Sequence, residues 1–438
     1  MMVASEVHVH LERPTERSRY AVEQVLASML GWSVRWVPSV EDLLAIEGPK
    51  LLYGSQHRPG VFTVVPAGLL EETGVRPLDP ERATHAELPV LFPVSGGPLP
   101  FDPFAAAFFQ LTRYEEVLGM EEDLHGRPVA ARLHAARHGY LDRPIVDEWA
   151  MALARSWKAM DPLVPEPRRT YRKVDTIDLD NGFKYLGRPL WRTLGSMVRD
   201  VIKGDPGEIS RRWDVLGGRQ KDPYDVYDDL RSCMGRSQDR TVFFILSAPR
   251  RRWDHAVPLS FAPYASRIRE LAEWAEVGLH PSYGTSEDEA MATREREALA
   301  GVTDRPVTAS RQHFLRMRLP HTYRMLERMG IRDEYSMGLH DALGFRAGTS
   351  MPYRWYDLLD ERSTTLTVHP FAVMDNTLRV KLGLSPEQAV ERVERIVQRI
   401  RAVEGTFTAI WHESFLADEP ANASWRKAIM EMMERSRS

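Results

Sequence analysis

From about residue 171 onward the chain alternates short apolar runs with helical segments, and this alternation limits the folds open to it. Strands separated by crossover helices pair in parallel, as a mostly parallel sheet or a barrel. The strand candidates are Asp175–Asp180, Thr241–Leu246, Glu276–His280, Thr308–Gln312, Thr365–His369 and Thr406–His412, with a weaker run at Glu334–Gly338. Helices are expected at Tyr264–Ala275, Glu287–Ala300, Thr322–Gly330 and Glu387–Val403. The last is the best marked. Ser385 suits an N-cap, Pro386 the first helical position and Gln388 the return half of a capping box. Val390, Val393, Ile396, Val397, Ile400 and Val403 then line one face.

The upstream part reads differently. Helical periodicity is expected over 18–31, 103–118 and 144–160, and β-like runs at Ser33–Val37, Lys50–Tyr53, Val61–Val65 and Leu88–Phe92. Residues 161–169 hold three prolines and two arginines and read as a linker. A chain of 438 residues exceeds most single cores. The expected organisation is therefore an N-terminal α+β domain over 1–165 and a (β/α) domain over 170–438. The formal charge of −4 makes no case for a nucleic-acid partner. Cys233 is the sole cysteine, which excludes a disulfide framework and a cysteine-based zinc cluster. A polar N-terminus without an apolar export segment, and no apolar run of spanning length, point to a cytoplasmic protein without a membrane span.

In parallel α/β folds chemistry gathers where strands end. Asp178 and Asp180 sit two apart in Val174–Phe183, so on a strand they share a face. Neighbouring carboxylates repel unless a cation or shared proton offsets the charge. They suit a metal site, one as ligand and one as base, or a solvated turn capped by two aspartates. The other ends reach His280, His313, His369 and His412, with Asp375 behind His369. Four such ends in a chain of 14 histidines form a pattern that suits Zn²⁺ or another divalent first-row ion. Arg113, Glu116, Asp123, His125 and Arg127 make a second polar patch, readable as a sugar- or partner-contacting surface or as a helix end and its loop.

In this order the motifs resemble those of the NodB-like polysaccharide deacetylases, over roughly the C-terminal three fifths of the chain. Thr176-Ile-Asp178-Leu-Asp180-Asn-Gly182 is similar to the family's Thr-Phe-Asp-Asp-Gly, and Thr241-Val-Phe243-Phe244 to its Thr-Phe-Phe strand. Glu276-Val-Gly-Leu-His280 matches Glu-Ile-Gly-x-His, Ser310-Arg311-Gln-His313 takes the place of the third motif, and Ile410-Trp-His412 that of the last. The chain looks like a divergent branch with an added N-terminal domain, whose members accompany surface-polysaccharide biosynthesis. Two departures stand out. Gly284 occupies the position of the second motif's other histidine, and Leu179 separates the two aspartates.

The resemblance implies an irregular (β/α) barrel and a metal-dependent hydrolase that removes an acyl group, N-acetyl above all, from a carbohydrate substrate. Asp180, His280 and, in place of the missing histidine, His313 would hold the cation, with Zn²⁺ the first expectation. Asp178 would serve as base and His412 as acid, with a backbone N–H after the His313 strand helping to stabilise the oxyanion. Arg311, or alternatively Arg346, would orient a catalytic carboxylate. Tyr283, Trp355 and Trp411 would stack on a sugar or pack in the core. Three readings compete: a catalytically inactive barrel that binds carbohydrate or a partner, another hydrolase such as a glycosidase using Asp178 and Asp375, and a site in the N-terminal part through Arg113, Glu116 and His125.

Overall fold

Runs rich in β-branched and aromatic residues, joined by helices long enough to cross a sheet face, favour parallel pairing. The computed structural model describes residues 6–203, 206–234, 239–248 and 251–438. Its first sheet contains β1 (Glu6–Leu11), β2 (Ser33–Trp36), β3 (Lys50–Tyr53) and β4 (Phe62–Val64), in the order β2-β1-β3-β4 and parallel throughout. β1 is central and escapes a reading from sequence, although Val7, Val9 and Leu11 are buried. With helices between its first three strands, this sheet is of α/β type, not the α+β expected. An antiparallel hairpin of β5 (Arg82–His85) and β6 (Leu88–Leu91) follows.

The helix expected over 103–118 breaks in two. Asp102 caps Pro103–Leu111, and Arg113 then takes a left-handed φ of 52° before a short helix at Tyr114–Val117. Burial of the Arg113 guanidinium explains the break, because it turns back onto the Gln110 carbonyl and onto Glu116. Likewise Glu16–Glu23 is α-helical, started by a Thr15/Ser18 capping box, and gives way to a wider π turn at Gln24–Met29.

The second sheet holds β7 (Arg172–Leu179), β8 (Arg240–Leu246), β9 (Glu276–His280), β10 (Ala309–Ser310), β11 (Asp333–Glu334), β12 (Tyr353–Asp357), β13 (Arg362–Val368), β14 (Val373–Met374) and β15 (Thr406–His412). Their order is β12-β13-β11-β10-β9-β8-β7-β15-β14, parallel except for the β12–β13 pair. The sheet does not close, which corrects the expected barrel. Part of the reason lies at β12, where the Arg354 N–H donates to Gln24 Oε1 at 3.1 Å and its carbonyl accepts from Tyr20 Oη at 2.7 Å. Side chains from the N-terminal helix thus occupy an edge that closure would require.

Contacts of this kind join the two parts of the chain. Arg17 donates to Glu361 at 2.9 Å, Arg346 pairs with Glu116 at 2.7 Å, and Asp147 accepts from Thr349 and the Ser350 amide. Residues 161–169 form no helix or strand, yet one apolar core runs from Val7 to Met433. No helix among the described residues is long and apolar enough to cross a membrane.

Candidate metal centre

Register brings the strand ends together. β7 lies between β8 and β15, and His412 stands directly across from Asp178. One strand further, Leu246 of β8 pairs with His280 of β9, and Leu279 pairs with Ser310 of β10. Asp178 is the penultimate residue of β7, whereas Asp180 lies just past its end. Glu413 holds that turn, since its carboxylate accepts from the amides of Asp180 (3.2 Å), Asn181 (2.7 Å) and Gly182 (3.4 Å). Burial and the negative charge of Asp180 push the Glu413 carboxyl up to about 7.

Three donor atoms converge below this turn. Asp180 Oδ1 lies 3.2 Å from His280 Nε2 and 3.8 Å from His313 Nε2, and the three fall within 4.8 Å of one another. The far side of each imidazole is engaged. His280 Nδ1 meets the Arg311 carbonyl at 2.5 Å, and a carbonyl only accepts, so the proton sits on Nδ1. His313 Nδ1 meets Asp254 Oδ1 at 2.9 Å, with the same consequence. Both Nε2 lone pairs therefore face Asp180 Oδ1, a buried atom that no hydrogen bond reaches. Three lone pairs at this spacing repel unless a cation or a proton lies among them; burial disfavours charge on His280, but Asp178 and Asp180 together raise its pKa. Donors about 2.0–2.2 Å from a tetrahedral ion lie about 3.3–3.6 Å apart, so the spacings of 3.2 and 3.8 Å and the imidazole–carboxylate donor set suit a divalent ion. An imidazole backed by a carboxylate or carbonyl is the usual outer arrangement of such sites.

The second half of the site faces the same point. Asp178 is buried, and its Oδ1 accepts from Arg311 Nη1 at 2.8 Å. Its Oδ2 is directed inward, 3.8 Å from His280 Nε2 and 4.0 Å from His412 Nε2. Arg311 is fully buried and also binds Thr176 Oγ1 and the Tyr335 carbonyl, with its guanidinium 4.5 Å over Phe244. His412 Nδ1 lies 2.6 Å from Asp375 Oδ1, and its amide donates to Oδ2. Burial alone would lower the basicity of His412, but the charge and hydrogen bond of Asp375 push its pKa up to about 10.

Several other expectations are corrected. Both Asp375 oxygens are taken up by His412 and the carboxylate is fully buried, so it cannot face a sugar as a glycosidase carboxylate would. Arg346 does not approach Asp178; it pairs with Glu116, which Arg113 also holds, in a buried cluster that excludes an N-terminal site through Arg113 and Glu116. His369 turns to Asp333 at 2.7 Å and stacks on Tyr335. Trp355 and Trp411 are core residues, while Tyr283 is half-buried in an aromatic group with His125, Trp253 and Phe314. Of the amides after the His313 strand, those of Leu315 and Arg316 are spent on Gln312 and His313, which narrows the expected oxyanion donor to Phe314. A second group, Asp79, His134 and His138, has spacing for a metal but wrong chemistry. Both His134 nitrogens are engaged, by Tyr140 and by the Pro80 carbonyl, and Asp79 pairs with Arg137.

Residues 7–162 match a family of unknown function (DUF7033). No curated protein matches the chain significantly. Among solved structures, the chain is similar to a protein from Mycobacterium smegmatis assigned as a polysaccharide deacetylase, at 17% identity over 60% of this chain and 84% of that one, with a TM-score of 0.40. A family 4 carbohydrate esterase from Streptomyces lividans shares 12% identity over 61% and 87% of the two chains, with a TM-score of 0.30. A CE4 family pseudoenzyme from Bacillus anthracis shares 7% over 62% and 64%, also at 0.30. Similarity this low assigns no chemistry to the chain, and the functional reading rests on the site's own geometry.

Proposed function

We propose that the chain is a divalent-metal-dependent hydrolase that removes an acyl group, N-acetyl above all, from a sugar or polysaccharide precursor. One observation carries this reading: Asp180 Oδ1 and the Nε2 atoms of His280 and His313 converge on one point, each imidazole locked from behind. His313 takes up the coordinating role that a histidine at position 284 would have had. A cation in this cradle lowers the pKa of water and polarises an acyl carbonyl.

The chain's own groups divide the remaining work. Asp178 Oδ2 accepts the proton of the attacking water, while Arg311 holds Oδ1 and fixes the carboxylate's aim. His412, cationic beside Asp375, gives its proton to the nitrogen as the acyl C–N bond breaks. Water thus supplies a hydroxyl to the acyl carbon, and a free amine departs. Asp375 keeps the proton-bearing ring in place, and the aromatic group around Tyr283 and Phe314 flanks the opening on one side. The same reading retains residues 1–165 and 170–438 as two domains, joined by a shared core.

The glycine at 284 favours one competing reading, an inactive protein that binds carbohydrate. Acetate release from N-acetylated oligosaccharides, followed alongside bound metal, separates the two. The hydrolase reading predicts metal-dependent release that falls by about 10² or more in His412→Ala with metal retained. Metal binding without release from any acylated sugar would favour the inactive reading.

A further inference from the structure

The cleft over the metal cradle has a volume of about 270 Å³, and the N-terminal part of the chain contributes His125 and Arg127 to its lining. Residues 121–129 form a tight hairpin, closed by the Asp123 amide on the Arg127 carbonyl at 2.8 Å and by a Glu122–Pro128 bridge. Gly126 turns its tip at φ 74°. The tip is pinned against the strand ends, with His125 Nδ1 3.0 Å from Tyr283 Oη and Arg127 Nη1 donating to the Phe314 carbonyl at 3.2 Å. Phe314 and Leu315 hold left-handed φ values of 62° and 56°, which turns that loop toward the hairpin.

Away from Asp178 and Asp180, the groups that line this cleft are basic or neutral. Once the proposed ligands, base and acid are set aside, its lining contains no carboxylate. It presents Arg127, Lys381 and His125, with Gln312 and Asn376 as neutral hydrogen-bonding groups. Asp123 offsets Arg127 at 2.6 Å. Lys381 is exposed at the end of the π turn Thr377–Lys381 and meets no counter-ion among the described residues. Burial, then the nearby charge of Arg127, holds the His125 pKa below the usual value against the opposing charge of Asp123, with smaller contributions from Lys381 and Arg316. With Arg127 offset by Asp123 and the cationic form of His125 disfavoured, the uncompensated charge at the cleft is that of Lys381, which a neutral acylated sugar would leave unused.

Building on the proposed hydrolase reading, we infer that His125, Arg127 and Lys381 form a subsite for an anionic group, phosphate or carboxylate, on the acylated sugar. The inference gives the N-terminal region a task. It supplies the wall that selects the substrate, while the strand ends supply the chemistry. Lys381 contributes long-range attraction, and the hairpin contributes shape and hydrogen bonds.

The test uses the full chain, stripped of metal with a chelator so that anions cannot report on the cation itself. Titration calorimetry compares N-acetylglucosamine 1-phosphate, a hyaluronan tetrasaccharide and neutral tetra-N-acetylchitotetraose. At least one anionic ligand is expected to bind tenfold or more tightly than the neutral one. That preference should vanish in Lys381→Glu with neutral binding unchanged, and weaken in His125→Ala. Preference for phosphate over uronate, or the reverse, identifies the anion. Equal affinity for charged and neutral ligands, or an equal loss for both in Lys381→Glu, overturns the subsite. Metal uptake by the same preparations reports on the hydrolase reading separately. Uptake without anion preference removes only the subsite, and anion preference without uptake removes only the hydrolase.

Discussion

Asp254→Asn probes whether His313 stands in for the missing histidine. Asp254 is buried in the segment after β8, where its Oδ1 accepts from His313 Nδ1 at 2.9 Å and from the Tyr283 amide at 2.9 Å. Burial works against its ionised form, but the His313 hydrogen bond and the Tyr283 amide hold its carboxyl below the usual range. Asparagine keeps the shape and the acceptor while removing the charge, so the ring stays oriented but its Nε2 becomes a poorer donor. Loss of such an outer carboxylate costs about 10- to 100-fold in metal affinity, or about 1.4–2.7 kcal/mol. His313→Ala, which deletes the donor itself, should lose more than that. The assay is chelator competition for Zn²⁺, with thermal unfolding followed in parallel to show that the variants remain folded. A folded Asp254→Asn protein whose zinc affinity stays within about twofold of wild type would refute the role given to His313.

Other outcomes follow from the same structure. Asp375→Asn removes the charge that raises His412 to about 10, so the alkaline limb of the pH–rate profile should move from near that value toward about 6.5; an unmoved limb would show that His412 is not the acid. Glu116 is buried between Arg346 and Arg113, and although burial opposes it, their charges depress its carboxyl to about 2. A depressed carboxyl stabilises the fold above its unfolded pKa of about 4.5 and loses that contribution as pH falls toward about 2, so Glu116→Gln should lower stability by about 3 kcal/mol at pH 7 and far less near pH 2. Denaturant melts across that range check the sign; a pH-independent difference would contradict it. Gly182 has φ +79°, and a Cβ there would lie 2.5 Å from the Tyr264 ring. Gly182→Ala should therefore cost about 2–4 kcal/mol in the turn that carries Asp180, read as a lower melting temperature.

What the sequence reveals follows from the range of the forces involved. Glu276–His280 and Thr406–His412 coincide with β9 and β15, because short runs carrying β-branched and aromatic residues between helical segments mark parallel strands locally. The helix Pro386–Ala402 is equally legible through its capping box. β1, β12 and the two-residue β14 escape such reading. β1 is mixed with histidines, and β12 is stabilised along its edge by Tyr20 and Gln24, far away in the chain. Helices Leu190–Lys203, Pro206–Leu216, Tyr227–Met234 and Ala423–Arg435 also go unread. At the site, strand-end spacing draws attention to Asp178, Asp180, His280, His313 and His412. Nothing local singles out Asp254 or Glu413, whose importance lies in what they hold. The hairpin at 121–129 looks like an ordinary polar loop until the fold sets His125 against Tyr283.

Elemental analysis of the purified full chain, wild type beside His280→Ala, asks whether Asp180, His280 and His313 hold a cation. The wild type should retain about one equivalent of a divalent ion, Zn²⁺ foremost, after loading and desalting, and the variant almost none. A wild type that retains no metal, or a His280→Ala protein that retains as much, would contradict it.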